Sequence, residues 1–284
     1  MKKLMRSYIL CLTVIILCIS CTSCGGGGGG KQDFMDRFIP LISEYSSMDA
    51  WESWVMAAPL EGDDGNDHSF IARLIIARNG SRIVGFGNAN GYPLGSFAIS
   101  GTRTQDNIEF EIISQDRYRA YSLTGKGIYI KSDTQIGGNS LTGEDFSTVF
   151  DDPIAYDGNF LINVSQLETV KPDSIFEGRI DGAYSSIEDG SIKIKTSSDG
   201  FSLTIEELKG KLVGQSASEG EFSYTDPVIF GNPTIVANKF QSVGNSGSDS
   251  IEVTGSISGK FASGFVVLQK SGHVYMGAFS AITE

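Results

Sequence analysis

At 284 residues, 40% hydrophobic and 20% charged, the chain can bury one large β core or two small ones, which argues against wholesale disorder. The formal net charge is −12, and three cations (Lys2, Lys3, Arg6) sit at the extreme N-terminus, which leaves −15 on the rest. Such a surface repels phosphate backbones and anionic lipid heads, which argues against nucleic-acid binding and against membrane contact through a basic patch.

All four cysteines, Cys11, Cys18, Cys21 and Cys24, fall in the first 24 residues. The remainder can therefore form no disulfide, no thiolate metal site and no cysteine nucleophile. The same stretch has a cationic start, Met1-Lys2-Lys3-Leu4-Met5-Arg6, then an apolar run from Tyr8 to Ile19. That run is about a dozen residues, short of the roughly 20 that span a bilayer as a permanent helix. It reads as a cleaved signal peptide, residues 1–23.

The ending, Cys21-Thr22-Ser23-Cys24, resembles the lipobox of bacterial lipoproteins, in which an aliphatic residue and two small ones precede the modified cysteine. Thr22 and Ser23 supply the small residues; Cys21 stands where leucine is usual. The competing frame, Cys18-Ile19-Ser20-Cys21, departs at the same position. Cys24 is the preferred lipidation site, with Cys21 the alternative, because Gly25 to Gly30 follow Cys24 and form a tether over 24–32. The resemblance implies a thioether-linked diacylglycerol, usually with a further N-acyl (palmitate-like) chain, and stable anchoring requires more than one chain. It also implies the cell envelope, and the outer membrane where the host has two, since no aspartate follows the cysteine.

Residues 33–60 are expected to be helical. Phe34, Phe38, Leu41/Ile42, Tyr45, Met48 and Val55 recur at three- and four-residue intervals. Pro40 interrupts the first part, and Asp49 with Glu52 has the N-cap and N3 spacing of a restart that would carry Trp51 and Trp54. Such a helix would lid a sheet edge or offer a contact surface.

From residue 66 to 284 the period switches to two. Ile108, Phe110 and Ile112 alternate with Glu109 and Glu111; Ile192 and Ile194 alternate with lysines; Phe201, Leu203 and Ile205 alternate with polar residues. Asn79-Gly80, Asp189-Gly190, Asp199-Gly200 and Ser271-Gly272 are expected at hairpin turns. Roughly a dozen short strands follow, and no βαβ spacing. The fold class is mainly β: an antiparallel meander forming a barrel or sandwich, with two halves, 66–150 and 174–284, about a less regular stretch near Asp151 to Pro172. Gly95-Ser96-Phe97-Ala98-Ile99-Ser100-Gly101 is echoed by Gly255-Ser256-Ile257-Ser258-Gly259. In general shape the meander resembles calycin-like barrels.

Groups able to carry chemistry are scattered. His68 and His273 each lie beside a turn, and no Gly-x-Ser-x-Gly elbow supports a triad. Glu61 to His68 is acidic, but the twelfth position from Asp63 or Asp64 is Leu74 or Ile75, where a calcium loop needs glutamate. Glu144-Asp145 and Asp151-Asp152 are candidate carboxylate pairs, whose separation decides any glycosidase chemistry. Phe86, Tyr92, Phe97, Phe110, Tyr118, Tyr121 and Tyr129 could line a cavity or form ordinary core. No catalytic set, metal or cofactor is assigned, and the ligand-binding residues are unknown. The first reading is a membrane-anchored, non-enzymatic structural or interaction module with an envelope partner. The alternative is a calycin-like binder of an apolar or glycan ligand; the third is an envelope hydrolase.

Overall fold

The computed structural model describes residues 29–90, 96–115, 119–131, 134–147, 153–182, 186–213, 220–226 and 229–284. Cys21, Cys24 and most of the glycine tether lie outside these.

Among the described residues, helix α1, Gly29–Ser47, is followed by seventeen strands in two sheets. β1 (Ala50–Ala58), β3 (Phe70–Asn79), β4 (Arg82–Asn90), β5 (Ser96–Arg103), β6 (Asn107–Gln115), β7 (Arg119–Lys131), β8 (Gln135–Ser147) and β9 (Ile154–Gln166) pair antiparallel in sequence. β1 also pairs with β9, from Glu52↔Gln166 to Ala57↔Leu161, and so closes an eight-stranded barrel without free edges. Beyond Pro59, which breaks the ladder, the short β2 (Leu60–Gly62) continues along β9.

The second sheet is an open half-barrel. It contains β10 (Ile175–Gly182), β11 (Ser186–Thr196), β12 (Leu203–Val213), β13 (Gly220–Tyr224), β14 (Lys239–Ser246), β15 (Asp249–Ser258), β16 (Phe261–Lys270) and β17 (His273–Ile282). Their order is β13-β12-β11-β10-β17-β16-β15-β14. The segment after β13 crosses the concave face and buries Phe230 and Ile235 in its core.

Three cores result. Inward residues of the barrel strands, among them Trp54, Met56, Leu74, Phe97, Phe110, Leu123 and Phe160, fill its interior and are 0–3% exposed. A second cluster fills the half-barrel. The third lies between the sheets, where barrel-wall residues Ala77, Val84, Phe86, Ala98 and Ile113 meet Phe265, Val267, Met276 and Ala278. Helix α1 seals this seam with Phe38, Leu41, Tyr45 and Met48. Its aromatic contacts are edge-on: Phe38 to Phe86 at 5.1 Å and Tyr45 to Trp51 at 4.7 Å between centroids. The Arg82 guanidinium holds Glu44 on α1 with two bonds, of 2.6 and 2.9 Å.

Ile108-Phe110-Ile112 and Ile192-Ile194 fold as their period dictates; Phe201, 70% exposed, lies in the turn before β12 and not on its buried face, and the other differences have local causes. α1 runs through Pro40 and stops at Ser47, and the expected helical restart is instead strand β1. From Glu52 to Ala58 every second residue is buried, Trp54 and Met56 facing the barrel interior, and closure of the barrel overrides the capping signal at Asp49. The stretch expected to be irregular holds the thirteen-residue β9. Its apolar alternation is broken by Gly158, where a Cβ would lie 2.2 Å from the Pro59 carbonyl. Asn79-Gly80, Asp199-Gly200 and Ser271-Gly272 do sit at hairpin turns. Asp189-Gly190 does not: it forms a bulge inside β11, with Asp189 at φ 48°. The helix expected at a sheet edge lies across the seam between sheets.

Candidate functional site

A groove on the outer barrel wall is built from five neighbouring strands, β5 to β9. It begins with one extra residue in β8. Against β7, the pairs Lys126↔Ser140 and Ile128↔Gly137 leave Gly138 and Asn139 opposite Gly127. Against β9, Gly138↔Phe160 and Leu141↔Gly158 leave Asn139 and Ser140 opposite Asn159. A single bulge thus bends the wall toward both neighbours. Glycine is required within it, because a Cβ on Gly138 would meet the Lys126 carbonyl at 2.3 Å and the Phe160 ring at 2.4 Å. That ring backs the thin wall from inside and packs edge-on against Phe110, with centroids 4.9 Å apart.

The groove has a volume of about 920 Å³. One row across its strands runs Thr102, Glu109, Lys126 and the bulge; the next runs Asn107, Ile128, Gly137 and Leu161. Asn107, Asn139 and Asn159 are exposed, and their side-chain amides bond to no other described residue. Glu109 and Lys126 neutralise each other at 2.8 Å across the strands. Ile128 (61% exposed) and Leu161 (37%) flank Gly137 as apolar ledges. The groove therefore offers neutral hydrogen-bonding groups beside aliphatic surface, with no net charge.

The residues singled out from the sequence do not converge. His68 is buried under the loop between β2 and β3, with Nε2 2.9 Å from an Asp64 oxygen and its ring edge-on to Tyr156 at 5.0 Å. His273 is exposed at the start of β17, on the other sheet. Three aspartates of the acidic loop accept hydrogen bonds from within the loop or from β9. Asp63 accepts from the Ala155 amide at 3.2 Å, Asp67 from the Ser69 amide at 2.9 Å, and Asp64 from the Asn66 side chain and amide. The bonds from Asn66, with a lesser one from His68, bring the Asp64 carboxyl down to about 2. Among the described residues, no three metal-ligating side chains converge. Glu144 is exposed on β8; Asp151 and Asp152 lie outside the described residues.

Of the aromatics, Phe97 and Phe110 are barrel core, and Phe86 faces outward into the seam beneath α1. Tyr121 and Tyr129 are on β7, while Tyr92 and Tyr118 lie outside the described residues. Sequence reasoning missed the groove. Its signals were Gly127, Gly137 and Gly138 within strands, which mark bulges and close backbone approach, and the Asn beside the last of them.

A second polar cluster sits near one barrel rim. Glu52 is 7% exposed; its Oε1 accepts from the Trp54 indole at 2.7 Å, and its Oε2 takes Arg103, itself 8% exposed, and Arg78 at 3.3 Å. All three residues lie near the starts or ends of barrel strands, so the cluster locks β1, β3 and β5 together.

No known protein family matches the sequence, and no curated protein matches it. Among solved structures, the chain is similar to a protein from Nitrosomonas europaea described provisionally as AttH, at 11% identity and a TM-score of 0.27 over 82% of this chain and 92% of that one. It is similar also to kievitone hydratase from Nectria haematococca, at 9% identity and a TM-score of 0.26 over 82% and 89%. At these scores neither likeness bears on fold or activity; the fold rests on the strand pairing above.

Proposed function

We propose that this chain is an exported, lipid-anchored envelope protein whose two-sheet body is a non-enzymatic interaction module with the barrel-wall groove as its contact surface. The observation that carries the module reading is the chemistry of the groove. Its one described ion pair, Glu109 and Lys126, is mutually matched and more than half exposed, and the exposed amides of Asn107, Asn139 and Asn159 stand beside it as neutral hydrogen-bonding groups. The anchor reading is supported by the leader and by how the helix follows it. Four residues separate Cys24 from Gly29, where α1 begins, at most about 18 Å of extended chain, so a lipid on Cys24 would hold the seam helix close to the membrane surface.

Metabolic labelling with a fatty-acid analogue tests the anchor. Cys24→Ser should abolish labelling and lipoprotein processing, while Cys21→Ser should keep both. Labelling that persists in Cys24→Ser and disappears in Cys21→Ser moves the site, and labelling of neither the parent nor the variants removes the anchor.

A further inference from the structure

We infer that the groove takes an uncharged saccharide chain; the inference rests on the reading of the groove as the contact surface. Side-chain amides both donate and accept, as do sugar hydroxyls, and Asn107, Asn139 and Asn159 present three of them on β6, β8 and β9 of one wall. Ile128 and Leu161 stand on β7 and β9 with Gly137 of β8 between them, so their Cα atoms are about 10 Å apart at ordinary strand spacing. That notch admits the C–H face of a sugar ring lying over glycine backbone.

Other ligand classes fit the same surface less well. An extended peptide adding a strand needs a free sheet edge, and β6, β7, β8 and β9 are paired on both sides. An anionic polymer needs a cation, and Lys126 is matched by Glu109 in a chain of net charge −12. An acyl chain needs an enclosed apolar cavity, and the groove is an open wall with amides and hydroxyls along it.

The test uses the full chain in mild detergent and detergent-washed, insoluble envelope material of its host, with co-sedimentation as the readout. Binding should be saturable, should vary less than about twofold between low and high salt, and should survive protease treatment of the material. Hydrolysis of its glycosidic bonds, which releases the saccharide as soluble fragments, should abolish it. Asn107→Ala with Asn159→Ala should weaken it by about tenfold at an unchanged melting temperature. Binding destroyed by protease but kept after glycosidic hydrolysis overturns the saccharide and leaves the interaction module standing. Binding undiminished in the double variant overturns the groove as the site. No co-sedimentation under any condition overturns both readings.

Discussion

Glu52 shows what one buried charge does in this barrel. Two guanidiniums and an indole converge on it, so its removal would take from Arg103, 8% exposed, a buried carboxylate with which it is paired. Breaking a buried pair by truncating one partner costs about 3–5 kcal/mol, because desolvation persists while the attraction is gone. Glu52→Ala is therefore expected to lower stability by about that amount in urea unfolding, and Glu44→Ala by less, since its pair with Arg82 is about one-third exposed. Two titrations follow from single residues as well. Asp64 is held at about 2, chiefly by the Asn66 side chain. A depressed folded pKa contributes stability above the unfolded value near 3.9 that is lost as pH falls toward 2, so Asp64→Asn should flatten the acid limb of a melting-temperature profile. Burial pushes the Tyr45 phenol well above 10. Its contribution is present below pH 10 and is lost as pH rises toward the folded value, and in an ultraviolet titration the Tyr45→Phe variant should lose one of the late-ionising phenols, Tyr224 being raised likewise by burial.

Among the elements, α1 and β8 carry the strongest constraints. Pro40 lies exposed inside α1, where it forfeits a backbone bond and crowds the preceding turn. Pro40→Ala should stabilise the chain by about 1–3 kcal/mol in thermal unfolding, the unfolded-state entropy restored by alanine offsetting part of the gain. In β8, Gly138→Val should destabilise by about 1–3 kcal/mol or more, because the new carbons overlap the Lys126 carbonyl and the Phe160 ring. An unchanged melting temperature would show that the bulge is absent. These same elements mark the limits of what the sequence discloses. Strands with clean alternation, such as Ile108-Phe110-Ile112, were legible because one face is buried and the other wet. β1 was not, because Tyr45, Met48 and Val55 continue a helical spacing across the helix–strand boundary, and its state is decided by pairing with β3 and with the distant β9. The groove was illegible for a similar reason: a bulge is a relation between three strands, and glycine pairs mark it without saying which way the wall bends.

At the scale of the whole molecule, the seam makes the two sheets one body. The β3–β4 ladder parts between Ala72/Ala89 and Ile75/Phe86, and serines from β16 and β17 enter there: Ser263 Oγ accepts from the Ile75 amide and Ser280 Oγ from the Asn88 amide, both at 3.0 Å. With Phe86, Phe265 and Tyr45 stacked edge-on behind them, neither sheet can leave without exposing the third core. Phe265→Ala should cost about 3–5 kcal/mol and should lower the unfolding of both sheets together.

Because every cysteine falls in the first 24 residues, a cysteine placed in the two-sheet body is the only thiol there, and this allows one measurement of the central claim. Ile128→Cys and Phe201→Cys, at positions 61% and 70% exposed in groove and hairpin respectively, are labelled with a small membrane-impermeant maleimide, in intact cells and after purification. An exported module working through its groove requires both to label when purified, and in cells position 201 to label while 128 is protected. Labelling of 128 as readily as 201 in cells would contradict the groove as the working surface, and labelling of either only after lysis would contradict export.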